Sequence, residues 1–254
     1  MSAWPSDLNV IEYPTSAELA VKLADDVADR LTNAIELRGR ASLMVSGGST
    51  PMPFFTDLST RPVDWKHVTV GLVDERWVEP NHKDSNEKLV RDHLLTHAAA
   101  DAHFVSPYAS TQSAVDHLSD YNSMLLALLA EHDGRFDVTV LGMGSDSHTA
   151  SLFPVTAAVA ASDNSSSNPE STAHFFPGAP DEGIAVVTHP QTAPHMRIGL
   201  SITGILRSRA VMLHITGDGK KQTLLDALDI NDPLLVPVSA VMEHATPFVY
   251  WSHR

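Results

Sequence analysis

A histidine and an aspartate follow a short apolar run in the middle of this chain. Phe136 to Leu141 reads FDVTVL, a pattern that predicts a buried strand, and the glycines Gly142 and Gly144 and then Asp146 and His148 come after it. Ligands of open α/β sheets bind at the carboxyl ends of strands. A histidine, with an ordinary pKa of about 6.5, can act there as a general acid or base. The pattern predicts a proton-transfer site, and a structural turn with an incidental histidine is the alternative.

A second informative loop, SGGSTP, follows the predicted strand Ala41 to Val45. Gly47 and Gly48 free backbone amides to face a ligand, and the hydroxyls of Ser49 and Thr50 add hydrogen-bond donors. The closing proline suits the first turn of a helix, whose positive dipole end faces the same loop. We therefore expect an anion site, most naturally for phosphate. The pattern GxxxxGK[ST] is absent, so a nucleoside triphosphate is not implied, and a plain strand-to-helix connection is the alternative.

Three charged residues follow a third predicted strand, residues 68–73. Asp74, Glu75 and Arg76 come directly after VTVGLV, so we expect them at the sheet edge that carries the two glycine loops rather than in the core. Arg76 can hold a phosphate or polarise a carbonyl, and Asp74 can position water or a substrate hydroxyl. An ion-paired loop without a ligand is the alternative.

The C-terminal third supplies two candidate cations for a phosphate. Residues 210–215 predict a strand, with Arg209 at its start and the sequence TGDGK after its end. Lys220 opens a predicted helix, so its ammonium can reach an anion at the carboxyl edge of the sheet. Arg209 stands before the strand, and a solvated position at the opposite edge fits its spacing at least as well. Lys221 is expected to be solvated.

Composition narrows the class of protein. A chain of 254 residues that is 43% hydrophobic can bury a full core, so we expect a single α/β domain over residues 1–254. The net charge of −14 disfavours nucleic acid and anionic membrane surfaces as partners. The lack of cysteine excludes disulfides, thiolate nucleophiles and cysteine-based metal sites. Without a signal-peptide pattern or a long apolar run, we expect a cytoplasmic protein.

Alternating strands and helices are predicted to hold these loops. After the cap candidates Thr15 and Ser16, apolar residues at four-residue spacing predict a long helix. A second amphipathic helix is predicted over residues 116–129, and helical sequence begins at Thr149. The Ser-rich region 157–183 lacks apolar periodicity, so we expect a flexible surface loop there, with a lid over the site as the alternative. The stripe of the first helix consists of Leu19, Leu23, Val27, Leu31 and Ile35.

The fourteen histidines raise the question of a metal site. Asp146 and His148 form an Asp-x-His pair, but two ligands do not make a site, and no HExxH pattern supplies a third. We therefore expect no metal and no other cofactor. Surface positions are predicted for the scattered histidines His82, His93, His97, His103, His132 and His253.

Three motifs in this order and spacing resemble the glucosamine-6-phosphate isomerase/6-phosphogluconolactonase family. They are VSGGSTP at 45–51, VDERWVEPNHKDSN at 73–86 and LGMGSDSHTASLFP at 141–154, and the similarity covers roughly residues 8–250. The resemblance implies a doubly wound α/β fold with a mostly parallel sheet flanked by helices (NagB/RpiA/CoA transferase-like). It also implies hydrolysis of 6-phospho-D-glucono-1,5-lactone to 6-phosphogluconate in the oxidative pentose phosphate pathway, with neither metal nor organic cofactor.

Roles for the candidate residues follow from the resemblance and from the needs of lactone hydrolysis. The reaction requires a base for water, a donor for the developing oxyanion and a grip on the phosphate. His148 matches the family's GxxDGH histidine and is the predicted base, with Asp146 setting its tautomer. Asp74 and Arg76 are the other predicted catalytic residues. The predicted substrate and phosphate contacts are Gly47, Gly48, Ser49, Thr50, Gly142, Gly144, Arg209 and Lys220.

The chain departs from the family pattern at Ser147, where glycine is usual. If this position needs a positive φ, serine costs roughly 1–2 kcal/mol or re-aims His148. A second departure is Leu206, where asparagine is common. Two other functions stay open: a sugar-phosphate-binding protein with a site weakened by Ser147, and an aminosugar-6-phosphate isomerase or deaminase. The second is disfavoured because residues 151–154 read SLFP where that branch usually has FNEP, and because Arg76 replaces a usual tyrosine.

Overall fold

A parallel sheet of seven strands forms the centre of the molecule in the computed structural model, which describes residues 3–155, 183–190 and 193–253. The described strands, in chain order, are β1 (Asn9–Tyr13), β2 (Ala41–Val45), β3 (Val68–Leu72), β4 (Asp74–Arg76), β5 (His103–Val105), β6 (Phe136–Leu141), β7 (Ala185–Thr188), β8 (Arg197–Leu200), β9 (Ser208–Thr216) and β10 (Phe248–Ser252). The central sheet has the spatial order β1-β10-β9-β6-β2-β3-β5, and every neighbouring pair is parallel. A smaller antiparallel sheet has the order β4-β8-β7.

Helices connect the strands and flank the central sheet. In the described ranges they are α1 (Ser16–Arg38), α2 (Met52–Ser59), α3 (Asn86–His93), α4 (Ala114–Glu131), α5 (Ile202–Leu206), α6 (Asp218–Ile230) and α7 (Val238–Ala245). The predicted cap of α1 is confirmed, since Thr15 Oγ1 accepts a hydrogen bond from the Glu18 amide and Gly39 ends the helix at φ +77°. None of these helices combines the length and apolarity that a bilayer crossing requires.

The core consists of two apolar layers separated by the sheet. All residues of β2 and β6 are buried, as expected for strands covered on both faces. Along β2, Met44 belongs to one layer while Leu43 and Val45 belong to the other, because alternate side chains point to opposite faces. Helices α1 and α2 pack in the second layer, and α4, α6 and α7 pack in the first. The predicted doubly wound, mostly parallel α/β fold is confirmed.

Two predictions of local structure are wrong. Residues after Thr149 form a turn rather than a helix, because Thr149 and Leu152 make an isolated antiparallel bridge and the Leu152 amide donates to Thr149 O at 3.0 Å. Glu75, which was expected outside the core, is only 1% exposed, because Asp74 to Arg76 form strand β4 and pair with β8. The predicted loop or lid at 157–183 lies, except for its last residue, outside the described residues.

Lys221 is buried rather than solvated. Its side chain is 8% exposed, and Nζ lies 4.6 Å from the ring centroids of both Trp4 and Trp251. The faces of aromatic rings attract a cation, so the two indoles compensate part of the cost of removing the ammonium from water. The two rings also contact each other edge to face at 5.6 Å. A residue expected at the surface therefore joins the N-terminal segment to β10 and α6.

A buried ionic network occupies the amino edge of the sheet. Asp137, 4% exposed, accepts hydrogen bonds from Ser42 N at 2.9 Å and from Arg38 Nη2 at 2.6 Å, and Arg209 Nε lies 3.4 Å away. His132, predicted at the surface, is 1% exposed, with Nδ1 3.2 Å from Asp137 Oδ2. The expectation that Arg209 binds phosphate is thereby corrected. Arg209 is the second residue of β9, and in a parallel sheet that places it at the edge opposite the glycine loops.

The pKa of Asp137 reports the balance of forces in this network. Burial alone would raise the pKa, but His132, the Ser42 amide and the positive charge of Arg38 together hold it below its usual value. A carboxyl group with a lowered folded-state pKa stabilises the fold above its unfolded pKa of about 3.9. That stabilisation is lost as the pH falls through the lower folded-state pKa.

We expect Asp137→Asn to lower the free energy of unfolding by about 3 kcal/mol at neutral pH, because the partly buried guanidinium groups of Arg38 and Arg209 lose their shared partner. Urea denaturation at several pH values should show that the difference from wild type shrinks below about pH 4, where the wild-type carboxylate also takes up a proton. Asp133→Asn is the control, since this carboxylate is 73% exposed and lies 3.6 Å from Arg209. A similar loss in both variants, or a loss independent of pH, would contradict the interpretation.

Candidate active site

A cleft of about 260 Å³ opens at the carboxyl edge of the central sheet. It lies where the loops after β2, β6 and β9 meet, the position at which parallel α/β sheets bind ligands. Asp146 does not line it but bonds to His148, which does, whereas Arg209 lies at the opposite edge. The other predicted site residues all line this cleft: Gly47, Gly48, Ser49, Thr50, Asp74, Arg76, Gly142, Gly144, His148 and Lys220.

The His148 ring is fixed from two sides. Its Nδ1 lies 2.5 Å from Asp146 Oδ1, and its ring stacks on Phe153 with centroids 4.6 Å apart. In the neutral form of the ring, Nδ1 carries the proton because a carboxylate can only accept, which leaves the lone pair on Nε2. Within the described part of the chain no group hydrogen-bonds Nε2. Burial alone would raise the pKa of Asp146, but the charge and hydrogen bonds of His148 hold it below its usual value.

The turn that presents His148 depends on close backbone packing. Gly144 N donates to His148 O at 2.8 Å, and a Cβ at Gly144 would lie 2.1 Å from His148 Nδ1, so a side chain cannot fit. Gly142 carries no such constraint, since its φ is not positive and an added Cβ would approach only Ser46 Cβ at 3.9 Å. The predicted requirement for glycine therefore applies to Gly144 but not to Gly142.

Ser147 adopts a backbone conformation that glycine would adopt more easily. Its φ is +65°, in the left-handed region, and its Oγ donates to Asp146 O. The backbone also accepts a hydrogen bond from Val238 N at 3.1 Å, which ties the turn to α7. Serine is thus accommodated with strain rather than by a changed turn, and His148 keeps its contact with Asp146.

The SGGSTP loop is anchored to the loop after β6. Ser46 Oγ donates to Val140 O at 3.1 Å and accepts from Gly142 N at 3.0 Å. A Cβ at Gly47 would lie 1.8 Å from Asn86 Oδ1, and Gly48 has a φ of +93°. Both positions therefore require glycine. The loop leads directly into α2, whose N-terminal amides and dipole favour an anion at this end of the cleft.

Lys220 lies in the first turn of α6 beside the His148 loop. Its Nζ donates to Met143 O at 2.8 Å and retains two further hydrogens for another acceptor. Burial lowers the pKa of Lys220, and the negative charge of Asp146 opposes that shift. The ammonium is therefore partly desolvated, and a bound anion would restore favourable contacts to it.

Strand β4 presents Asp74 and Arg76 to the cleft and buries the residue between them. Asp74 Oδ2 accepts from Ser151 Oγ at 2.9 Å, and Arg76 Nη1 donates to Asp84 O at 2.6 Å. The intervening carboxylate of Glu75 accepts three backbone amides and one hydroxyl. Burial raises the pKa of Glu75, while these donors oppose the shift. The donors are Arg76 N, Asn86 N, Glu87 N and Ser85 Oγ.

Sequence reasoning missed three contributors to the site. Asn86 supports Gly47 and donates to Asp74 O at 2.9 Å, and Ser151 holds the Asp74 carboxylate. His214 lines the cleft, although it is 4% exposed, and burial lowers its pKa to about 4, so it is neutral. Both its ring nitrogens lack a hydrogen-bond partner among the described residues. The sequence contained one signal for His214, because it is a single histidine within an otherwise apolar predicted strand.

Comparisons with known proteins agree with this arrangement. The family model described as glucosamine-6-phosphate isomerases/6-phosphogluconolactonase matches residues 14–251. The 6-phosphogluconolactonase of Rhizobium meliloti is 38% identical over 249 residues, covering 97% of this chain and 99% of that protein. The Pseudomonas putida protein of the same name is 36% identical, with 97% and 94% covered.

Solved structures show the same likeness. A 6-phosphogluconolactonase from Shewanella baltica superposes with a TM-score of 0.84 at 37% identity, covering 97% of this chain and 98% of that one. A monomeric glucosamine-6-phosphate deaminase reaches a TM-score of 0.74 at 20% identity, with 96% and 97% covered, and shows a shared fold alone.

We expect Ser147→Gly to raise the free energy of unfolding by about 0.5–1 kcal/mol, because relief of about 1–2 kcal/mol of backbone strain exceeds the entropy that glycine adds to the unfolded chain. Ser123→Gly, at an ordinary helical position of α4, is the control and should destabilise by about 0.5 kcal/mol. Urea denaturation measures both. Destabilisation of the same size in the two variants would show that Ser147 is not strained.

Proposed function

The chain belongs to the glucosamine-6-phosphate isomerase/6-phosphogluconolactonase family, and from this we propose that it hydrolyses 6-phospho-D-glucono-1,5-lactone to 6-phosphogluconate. Curated relatives named 6-phosphogluconolactonase are 33–38% identical to it over nearly its whole length. One observation carries the proposal: His148, with Nδ1 held by Asp146, lines the same cleft as the SGGSTP loop and Lys220.

The phosphate would bind at the end of the cleft formed by the SGGSTP loop and Lys220. The N-terminus of α2 supplies amides and a favourable dipole, and Ser49 and Thr50 supply hydroxyl donors. Lys220 adds a positive charge whose hydration is already reduced by burial. Binding the phosphate at one end of the cleft holds the lactone ring at the other end. The carbonyl carbon is then oriented toward His148 and its water, which lowers the entropic cost of the attack.

His148 would act as the general base at the ring end. As the water oxygen bonds to the lactone carbonyl carbon, Nε2 takes a water proton, and Asp146 stabilises the imidazolium that forms. The carbonyl oxygen becomes an oxyanion, for which Arg76 and the Met143 amide are the proposed donors. Collapse of this intermediate breaks the bond to the ring oxygen. His148 returns its proton to that oxygen, which gives a hydroxyl group and a carboxylic acid that ionises.

The two alternative functions have less support. A weakened binding protein was suggested by Ser147, but φ of +65° at this residue supports a turn that still presents His148. An aminosugar deaminase would use acidic help from a segment that here reads SLFP, in which Ser151 instead binds Asp74. The net charge of −14 supports the expectation that nucleic acid is not a partner. A cytoplasmic location stays a prediction.

Replacing the proposed base should abolish most of the activity. We expect His148→Asn to lower kcat by about 10²- to 10⁴-fold, because positioned base catalysis is lost, while KM changes little. The assay follows 6-phosphogluconate formation above the spontaneous hydrolysis of the lactone. His67→Asn, at an exposed site near Asp64, is the control and should match wild type. If His148→Asn is folded and retains full kcat, His148 is not the base.

The lactonase proposal also has a direct test with unmodified protein. Wild type should hydrolyse the phosphorylated lactone well above the spontaneous rate and should not release ammonia from glucosamine 6-phosphate. Binding of sugar phosphate without any excess hydrolysis would favour the binding protein, and ammonia release would favour the deaminase.

The proposed phosphate contact is tested by a substrate comparison. We expect Lys220→Gln to lower kcat/KM for the phosphorylated lactone about 10- to 100-fold, because a charged hydrogen bond is worth about 1.5–3 kcal/mol. Hydrolysis of the unphosphorylated gluconolactone should not change. Lys88→Gln, which loses only a surface pair with Asp92, is the control. Equal losses on both lactones would assign Lys220 to the ring end of the cleft instead.

A further inference from the structure

Three potential metal ligands from distant parts of the chain meet beside β4. His82 and Asp84 lie in the turn that follows this strand, and His195 precedes β8. His195 Nε2 lies 3.2 Å and His82 Nδ1 3.8 Å from Asp84 Oδ2. One ligand atom from each of the three residues lies within 4.8 Å of the others. None of the three lines the cleft, so this group is separate from the site described above.

The surrounding backbone holds the three residues together. Arg76 and Arg197 are partners in the antiparallel pair β4-β8, and Trp77 N donates to Met196 O at 2.8 Å. Within the turn after β4, the Ser85 amide donates a hydrogen bond to His82 O at 3.0 Å. The turn after β4 and the segment before β8 are therefore joined by the β4-β8 pairing and by the Trp77–Met196 hydrogen bond. His195 itself has a φ of +71°, an uncommon value for a residue other than glycine.

We propose that His82, Asp84 and His195 bind a divalent transition-metal ion of the zinc class. Two imidazoles and one carboxylate are ligands that Zn²⁺ accepts, whereas Ca²⁺ and Mg²⁺ prefer oxygen ligands alone. Metal–ligand bonds of about 2.1 Å in a tetrahedron place ligand atoms about 3.4 Å apart. The His195–Asp84 separation matches this value. To reach the ion, the His82 ring must rotate and give up the hydrogen bond that its Nδ1 accepts from Asp84 N at 3.1 Å.

The ion would act as a clip rather than as part of lactone hydrolysis. It would join the turn after β4 to the segment before β8, and three protein ligands leave one position for water. Asp84 also accepts the hydrogen bond from Arg76 Nη1 through its backbone oxygen, at 2.6 Å. Fixing Asp84 would therefore fix the residue that holds the Arg76 guanidinium. The inference does not depend on the proposed lactonase activity.

Metal binding by the purified full chain tests the proposal. Chelator-treated wild type is titrated with Zn²⁺ in competition with a chromophoric chelator, and we expect one tight equivalent at neutral pH. His195→Ala and Asp84→Asn should each weaken binding at least about tenfold, since even the loss of an outer-shell partner costs about 10- to 100-fold. His67→Ala is the matched control, because His67 is exposed and lies 3.7 Å from Asp64 but has no third ligand among the described residues. It should bind Zn²⁺ as wild type does.

Two further measurements separate this site from adventitious binding to other histidines. Co²⁺ should give the visible absorption of a four-coordinate site in wild type and lose it in His82→Ala. Zn²⁺ should raise the melting temperature of wild type but not of His195→Ala, because only an ion bound to the folded state stabilises it. The proposal is overturned if wild type binds no tight Zn²⁺, or if wild type and the His82→Ala/His195→Ala double variant bind it equally.

Discussion

The shared direction of the seven central strands is the constraint on which the rest of the structure depends. Because all neighbouring pairs are parallel, the loops after β2, β6 and β9 emerge at one edge although they are far apart in sequence. Residues that could not meet through local geometry, such as Ser49, His148 and Lys220, therefore line one cleft. Sheet order adds the second condition, since β9, β6 and β2 are adjacent. The loops are then held to each other by short contacts such as Ser46 with Gly142.

The two edges of the sheet have different physical roles. At the amino edge, Arg38 and Arg209 both lie against the buried carboxylate of Asp137, so their charges are engaged within the protein. At the carboxyl edge, Lys220 bonds only to a backbone oxygen in the described structure and keeps unused hydrogens, and His148 Nε2 has no described partner. The paired charges of the amino edge therefore stabilise the fold. The donors of the carboxyl edge lack a full set of acceptors and can bind a ligand.

Much of the fold was predictable because its signals are local. Apolar runs in the sequence indicate the buried strands, and apolar residues at four-residue spacing after the cap residue Thr15 indicate α1. The motif loops directly follow the ends of strands. The failures involve partners supplied from far along the chain. Lys221 is buried because Trp4 and Trp251 enclose it, and His132 because Asp137 lies beside it.

The candidate site divides in the same way. Its glycine loops and His148 stand in recognisable motifs. Asp74 and Asn86 also share the motif at 73–86, but their hydrogen bond is not evident from it, and the contact of His195 with Asp84 joins residues whose spacing carries no pattern. The sequence indicated that Ser147 would be strained only if its φ were positive. The structure gives that φ as +65°. Arg209 shows the reverse case, since its place before a strand already indicated the edge at which it lies.

The consecutive lysines Lys220 and Lys221 of α6 point in different directions. Successive helical residues are rotated by about 100°, so Lys220 reaches the cleft while Lys221 lies between two indoles. The indole pair therefore helps to hold the orientation of α6, together with the buried Leu224 and Ala227 of the same helix. One of those indoles, Trp4, belongs to the segment that precedes the first strand. Tags or deletions at this end of the polypeptide would consequently affect the anion-binding end of the cleft, because Lys221 and Lys220 are neighbours on one helix.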